Sequence, residues 1–394
     1  MKAKMMNKGA VQDIRHGRAQ GRIFGVGGED EAFFFVEGKP GLSFEQDVAE
    51  LSREYSDALA AAGLDRKTSI YRRFFVSDAA NQMEILKRSD LYKEKADKIA
   101  ISVIQQRPLN GSKVAMFAYH VRSRGGQKKE ASSHQCLFLQ RPGVSQVWFT
   151  NLAEVDHGMP ADRQTKEIFV QLTRELAAHD ATLADNTVRT WVYVRDVDRH
   201  YRHMVDARRE FFAAHGLTQR THFIASTGIE GRSANPAALV SIDALSLVGL
   251  KPGQVSYLKA HDHLCDTIKY NVTFERGARI AYRDRVHYHI SGTASIDKYG
   301  KVLHEGDVLR QTQRTLENMQ ALLADGGAKL ADFMYILVYL RDPSDTAVVA
   351  QYLAKAAKGI PCLLLEAPVC RPQWLVEMEG VAVCANDDAS LPAF

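Results

Sequence analysis

The chain has 394 residues with 51 Lys and Arg against 47 Asp and Glu, a formal charge of +4; no block of like charge is long enough for a nucleic-acid tail, and no run of about 18 apolar residues could cross a membrane. Five cysteines, Cys136, Cys265, Cys362, Cys370 and Cys384, form no CxxC pair and leave one odd, which argues against a disulfide framework and for a reducing, cytoplasmic setting. The length allows two or three domains with buried cores, and the basic N-terminus leads into no apolar segment of the kind that directs export.

In chain order, residues 16–120 read as strands 22–26 and 32–35, a helix 44–62, an apolar strand 69–76, a helix 81–92, and strands 100–104 and 113–119. Residues 132–248 repeat that order, with strands 137–140 and 146–150, a helix 162–178, strand 188–194, a helix 199–215, and strands 223–226 and 238–245. A polar, Gly-interrupted stretch follows at 249–277, a length that suits either a linker or a segment lining a site. The third unit, 278–386, opens with strands 279–282 and 286–290 around an Asp284-Arg285 turn. Val308, Leu309, Thr312, Leu316, Met319, Leu322 and Leu323 then form one apolar helical stripe that stops at Asp325-Gly326-Gly327. Strand 333–340 is almost continuously apolar and so should be central and buried on both faces. Pro343 opens a helix over 345–357, and strands 362–366 and 374–383 close the unit.

The three units share landmarks. Gln46 to Asp78, Gln164 to Asp196 and Gln311 to Asp342 span 32, 32 and 31 residues, and each Asp ends the apolar strand. Asp78 and Asp196 are 118 residues apart but Asp196 and Asp342 are 146 apart, and the surplus of 28 falls in 249–277. The chain is therefore a threefold repeat of a β-β-α-β-α-β-β unit, an α+β fold.

The third unit carries a family resemblance. Ser291-Gly292-Thr293-Ala294, Gly306-Asp307 with Gln311-Thr312, Leu316-Glu317-Asn318, Val338-Tyr339-Leu340-Arg341-Asp342 and Leu375-Val376-Glu377-Met378-Glu379 resemble the RidA (YjgF) family in order and spacing. The resemblance implies a chorismate-mutase-like α+β fold that assembles as a trimer with ligand clefts between neighbours. Three units in one chain would then form an intramolecular pseudotrimer, expected as a monomer with a dimer as the alternative, free to equip one cleft and leave two as scaffold. The imine-deaminating members resemble one another in an Arg that grips the substrate carboxylate and a Glu on the closing strand. Laid on the family without gaps, the third unit keeps the Glu as Glu377 and has Cys362 at the Arg position. The closing strands of the other units, 114–117 and 238–241, hold no carboxylate.

A second resemblance reaches further. Val369-Cys370-Arg371 with 375–379, Arg189-Thr190-Trp191-Val192-Tyr193, Ala207-Arg208-Arg209, Ala225-Ser226-Thr227-Gly228-Ile229, and Tyr270 with Phe274-Glu275-Arg276 are similar to segments of the chorismatases. These enzymes are built from RidA-like units and hydrolyse the enolpyruvyl ether of chorismate, releasing pyruvate with a dihydroxycyclohexadienoate or a hydroxybenzoate. Such chemistry needs a carboxylic acid of raised pKa and cationic anchors for two substrate carboxylates. The resemblance assigns Glu377 as general acid and Cys370 as the residue assisting hydroxybenzoate formation. Arg276, Arg283, Arg371 and Arg189, with Tyr270, Gly292 and Ala294, are the expected binding residues. The implied partner is a small carboxylate, with no cofactor, no nucleic acid and no membrane; no basic patch with interleaved aromatics supports a ribonuclease role.

Plainer readings stand beside these. Glu377 alternates with apolar neighbours and could face solvent, Cys370 and Cys362 could be small buried hydrophobes, and the arginines could be surface charges. The pairs His261-Asp262-His263 and His287-Tyr288-His289 lack a third ligand of suitable spacing, so cleft or edge histidines are expected and no metal. An imine or enamine deaminase using another arginine, and a non-catalytic metabolite-binding protein, remain as alternatives.

Overall fold

In a computed structural model, residues 9–92, 98–124, 127–133, 135–154, 156 and 158–394 are described; the basic N-terminal residues 1–8 lie outside them. Three sheets form, one per unit. The first takes β1 (Ala10–His16), β2 (Ala19–Val26), β3 (Glu29–Glu37), β4 (Ser69–Val76), β5 (Ala100–Gln105) and β7 (Val114–Arg122), in the order β1-β2-β3-β7-β4-β5. The second takes β8 (Lys128–Ser133), β9 (Cys136–Gln140), β10 (Ser145–Ala153), β11 (Thr187–Val194), β12 (Ala225–Glu230) and β13 (Val240–Val248), in the order β12-β11-β13-β10-β9-β8. The third takes β14 (Val255–Tyr257), β15 (Gly277–Ala281), β16 (Arg285–Ala294), β17 (Phe333–Leu340), β18 (Cys362–Glu366) and β19 (Val376–Ala385), and recruits β6 (Arg107–Pro108) from the first unit at its edge.

The helices form where the sequence stops alternating and starts repeating every three to four residues. Helix Phe44–Ala61 begins at a capping box between Ser43 and Gln46, and helix Val308–Asp325 at Asp307, whose side chain accepts from the Arg310 N–H. Each central strand, β4, β11 and β17, is buried along its whole length. Successive side chains point to opposite faces, and the two faces meet different partners. Phe34, Phe74 and Met116 pack under their own unit's helices, whereas Phe33, Phe35, Tyr71 and Phe117 enter a core shared by all three sheets. In the second unit Val192 and Val194 turn to the helices while Trp191 and Tyr193 join the shared core.

Three details differ from expectation. A strand, β1, precedes the first one expected at 22–26. The helix expected over 81–92 runs Ala79–Arg88, because Ser89 leaves the helical conformation and a separate 3-10 turn, Asp90–Tyr92, follows. Residue Arg285, read as half of the turn between two strands, begins β16 fully buried. The 249–277 stretch is no free linker, since β14 pairs with β15 and the rest folds back towards β16. Among the described residues no helix is long and apolar enough to cross a membrane.

Arg285 is buried because the first unit supplies its counter-charge. Glu31 on β3 accepts from Arg285 Nη1 at 2.9 Å and from His287 Nε2 at 2.8 Å. Burial alone would raise the Glu31 pKa, but the charges and hydrogen bonds of His287 and Arg285 outweigh it and hold the carboxyl at about 2, below its ordinary 4.5. A carboxylate with a lowered folded pKa stabilises the fold above its unfolded pKa and loses that contribution as pH falls through the folded one. Glu31→Gln should therefore cost about 3 to 5 kcal/mol of unfolding free energy at neutral pH by denaturant titration. That deficit should shrink as pH falls from 4.5 towards 2.

Candidate active site

The second and third units meet where β12 lies against β16. Ala225 bridges to Glu275 and Ile229 to Val369, so the edge of one sheet is stitched to the loops of the next. A pocket of about 520 Å³, counting its mouth, opens along this seam. Helix Val197–Ala214 of the second unit contributes Tyr201 and Arg208, and β12 contributes Ser226 and Gly228. The 249–277 stretch supplies Tyr270, Phe274 and Arg276. The third unit supplies Gly292 and Ala294 from β16, Cys370, Arg371 and Trp374 from the loop before β19, and Glu377 from β19.

Glu377 and Glu379 alternate on β19 with Met378, so both carboxyls project from the same face of the strand. Their surroundings differ sharply. Glu379 accepts from Arg189 Nη2 at 2.6 Å, from Trp191 Nε1 at 2.9 Å, from Tyr339 Oη at 3.1 Å and from the Thr227 hydroxyl, with Arg73 Nη1 at 3.8 Å. Glu377 is bonded by no donor among the described residues. Burial, and after it the charge of Glu379, push the Glu377 pKa up to about 8, only partly opposed by Arg189 and Arg276. Gly292 makes room for that carboxyl, because a Cβ there would stand 2.2 Å from Glu377 Oε1.

Around this acid stand three guanidinium groups that pair with no carboxylate among the described residues. Arg208 is 1% exposed, and it donates to Ser226 Oγ at 3.4 Å while its Nε and Nη2 have no protein partner. Burial lowers its pKa, which is the cost of holding an unpaired cation. Arg276 spends its Nε and Nη2 on the Cys265 carbonyl, at 3.2 and 3.0 Å, and lies over the rings of Tyr270 and Phe274. Arg371 is sandwiched by Tyr270 and Trp374, 4.7 Å from each ring centre. Cys370 bonds the Tyr201 hydroxyl, and burial with the nearby Glu377 raises its thiol to about 12, so it is present as SH.

The pocket thus gathers Glu377, Cys370, Arg276, Arg371, Tyr270, Gly292 and Ala294 from the residues singled out in the sequence. Two others fall elsewhere. Arg189 sits one layer behind, spent on Glu379 and Thr227. Arg283 is not part of the site: it follows β15 at the far end of the sheet, where its Nε donates to the Leu391 carbonyl. Cys362 is also misplaced as the counterpart of the deaminase arginine. It faces the first unit, its carbonyl accepting from Gln20, whereas the matching strand position in this seam is Ser226 of the second unit. The ladders show it: Cys362 pairs with Ile336 of β17 as Ser226 pairs with Thr190 of β11. Arg208, Tyr201, Ser226 and Trp374 also line the pocket without having been singled out as site residues; the Ala207-Arg208-Arg209 and Ala225-Ser226-Thr227-Gly228-Ile229 segments carried the signal for two of them.

Register also corrects the count of closing carboxylates. Glu377 pairs with Tyr339, and the equivalent positions are Ser241, paired with Tyr193, and Ala115, paired with Phe75. One strand step on, Glu379 corresponds to Asp243 in the second unit and to Phe117 in the first, so β13 does carry a carboxylate. At the seam of the first and second units, Met83, Ile101 and Val103 take the places of Tyr201, Ser226 and Gly228, and Asn151 ties β5 to β10 through Val103 N and Ile101 O. Among the described residues, that cleft is lined by no acid and no buried guanidinium. Among the described residues no group of three His, Cys, Asp or Glu could hold a metal ion; His287 is occupied by Glu31 and His261 by Asp266.

The family profile described as Endoribonuclease L-PSP matches residues 278–384. A RutC family protein of Pyrococcus abyssi (strain GE5 / Orsay) is 31% identical over 97 residues, which make up 24% of this chain and 75% of that protein. A 3-hydroxybenzoate synthase of Streptomyces hygroscopicus is 32% identical over 104 residues, 24% of this chain and 30% of that protein's length. The crystal structure of a chorismatase shares the fold over 91% of this chain and 100% of its own, with a TM-score of 0.64 at 17% identity. By its third unit the chain belongs to the RidA (RutC, YjgF) family, here built into the larger fold that it shares with chorismatase.

Proposed function

We propose that the protein is a chorismatase-like hydrolase or lyase that cleaves a small dianionic enol ether such as chorismate. The observation that carries this reading is the placing of one buried carboxyl with a raised pKa, Glu377, beside three guanidinium groups that have no counter-ion among the described residues, Arg208, Arg276 and Arg371. Two substrate carboxylates would supply the missing negative charge. Glu377 then delivers its proton to the enol methylene, creating an oxocarbenium at the ether carbon. Water adds there, the hemiketal collapses to pyruvate and the ring alcohol, and a proton from that water restores Glu377. The arginines and the dry wall confine charge that would otherwise be solvated. Cys370, as a neutral thiol bonded to Tyr201, acts on the ring product, which is a hydroxybenzoate when the ring also loses its second hydroxyl together with a ring hydrogen as water, and a dihydroxycyclohexadienoate when it does not. The three units act as a monomeric pseudotrimer with one working cleft.

A second reading, an imine or enamine deaminase, is favoured by Arg208, whose guanidinium stands at Ser226 where the family's substrate-gripping arginine belongs. It leaves Arg276 and Arg371 without employment on a monocarboxylate.

The test is incubation with chorismate and detection of pyruvate, with 2-aminoacrylate decay measured in parallel. Pyruvate release is expected; its absence beside an active control, with accelerated 2-aminoacrylate loss, would give the site to the deaminase. Because the acid form must be the donor, kcat/KM should fall as pH rises through about 8. Glu377→Gln should abolish turnover, while Cys370→Ala should change the ring product more than the rate. Gly292→Ala, which drives a methyl into the Glu377 carboxyl, should slow pyruvate release on the order of 100-fold with little loss of melting temperature.

A further inference from the structure

Glu379 does not line the pocket, yet four side-chain donors hold it. Its partners come from every unit: Arg73 from the first, Arg189, Trp191 and Thr227 from the second, and Tyr339 from the third. The same network extends to Asp243, 3.4 Å from Arg73 Nε and bonded by Tyr71 Oη at 2.8 Å. Two arginines and two carboxylates thus balance at the centre of the fold, all of them 1% exposed or less. Neutral isosteres would have satisfied such a location at lower desolvation cost. The arrangement instead fixes a full negative charge one strand step from Glu377.

We propose that Glu379 is a positioning residue whose fixed charge, anchored by all three units, keeps Glu377 in its proton-bearing form. The inference rests on the reading of Glu377 as the general acid. Among the described residues, every other element facing Glu377 bears neutral or positive groups. Arg189 on β11, Arg276 before β15, and Arg208 on the second unit's helix are cationic. Tyr201 on that helix, with Cys370 in the loop beside Arg371, is uncharged at neutral pH, burial raising both above their ordinary values. Burial opposes the pull of those arginines on the Glu377 proton, and after burial Glu379 does, the one anion on the same face of β19. The first unit therefore reaches the chemistry through Arg73, although it contributes nothing to the pocket wall.

The test needs no substrate. The carboxylic C=O infrared band of Glu377, assigned by its loss in Glu377→Gln, is followed against pH in the intact chain. In Glu379→Gln its titration should move roughly one to two pH units lower, and any alkaline limb of pyruvate release should move with it. Glu379→Asp should keep most of the wild-type value. Should Glu379→Gln fold poorly with Arg189 unpaired, the double variant Glu379→Gln/Arg189→Gln removes both charges; its titration should still fall, by less than in the single variant. A Glu377 band that titrates unchanged in folded Glu379→Gln, or in the double variant, overturns the proposal. If the band shifts while chorismate is never turned over, the tuning stands and the assigned reaction fails.

Discussion

Everything in the site depends on how one buried carboxylate is satisfied. Glu379 absorbs the donors that point inward from three units, and in doing so it settles the charge of its neighbour. Had those donors reached Glu377 instead, the pocket would hold a carboxylate braced against arginines, a binding device with no proton to give. With Glu379 saturated, Glu377 lies buried, bonded by no described donor and next to a negative charge, which is the environment that raises a carboxyl into the range of a general acid. The arginines that remain unpaired are then available to an incoming anion.

A single chain lets this happen once. In a symmetric trimer each seam would repeat the same residues, and a change that suits one seam would be imposed on all. Here Ser241 and Ala115 replace Glu377 at the equivalent positions, and Met83 and Val103 replace Tyr201 and Gly228. The freed interfaces carry other cross-unit bonds, such as Glu31 with Arg285 and Asn151 across β5. The two units without the acid are accordingly not idle. They supply Arg208, Ser226 and the arginines around Glu379, and they close the core from which the third unit projects its strand.

Much of this was legible in the sequence because the repeat is spaced so regularly. The Gln-to-Asp intervals locate each central strand, and the RidA-like and chorismatase-like segments lead to Glu377, Cys370, Arg276 and Arg371. What escaped has a common cause: the site is built across a seam, and a comparison made within one unit places both of its halves in that unit. Cys362 was matched to an arginine position that the structure moves to Ser226 of the neighbour. Arg208 bonds Ser226 of its own unit, but the acid that shares its pocket, Glu377, lies more than a hundred residues away in sequence. Arg189 was expected to face the pocket from the neighbouring unit and Arg283 was taken into it for proximity along the chain, but the alternation of β11 turns the first towards Glu379, and the hairpin carries the second to the opposite end of its sheet.

The claim that matters most is that Glu377 gives a proton to carbon. Turnover of chorismate in D2O, with pyruvate trapped as it forms and weighed by mass spectrometry, tests it directly. One deuterium in the pyruvate methyl group, lost together with turnover in Glu377→Gln, is the predicted result; unlabelled pyruvate, or labelled pyruvate still formed by that variant, would contradict it.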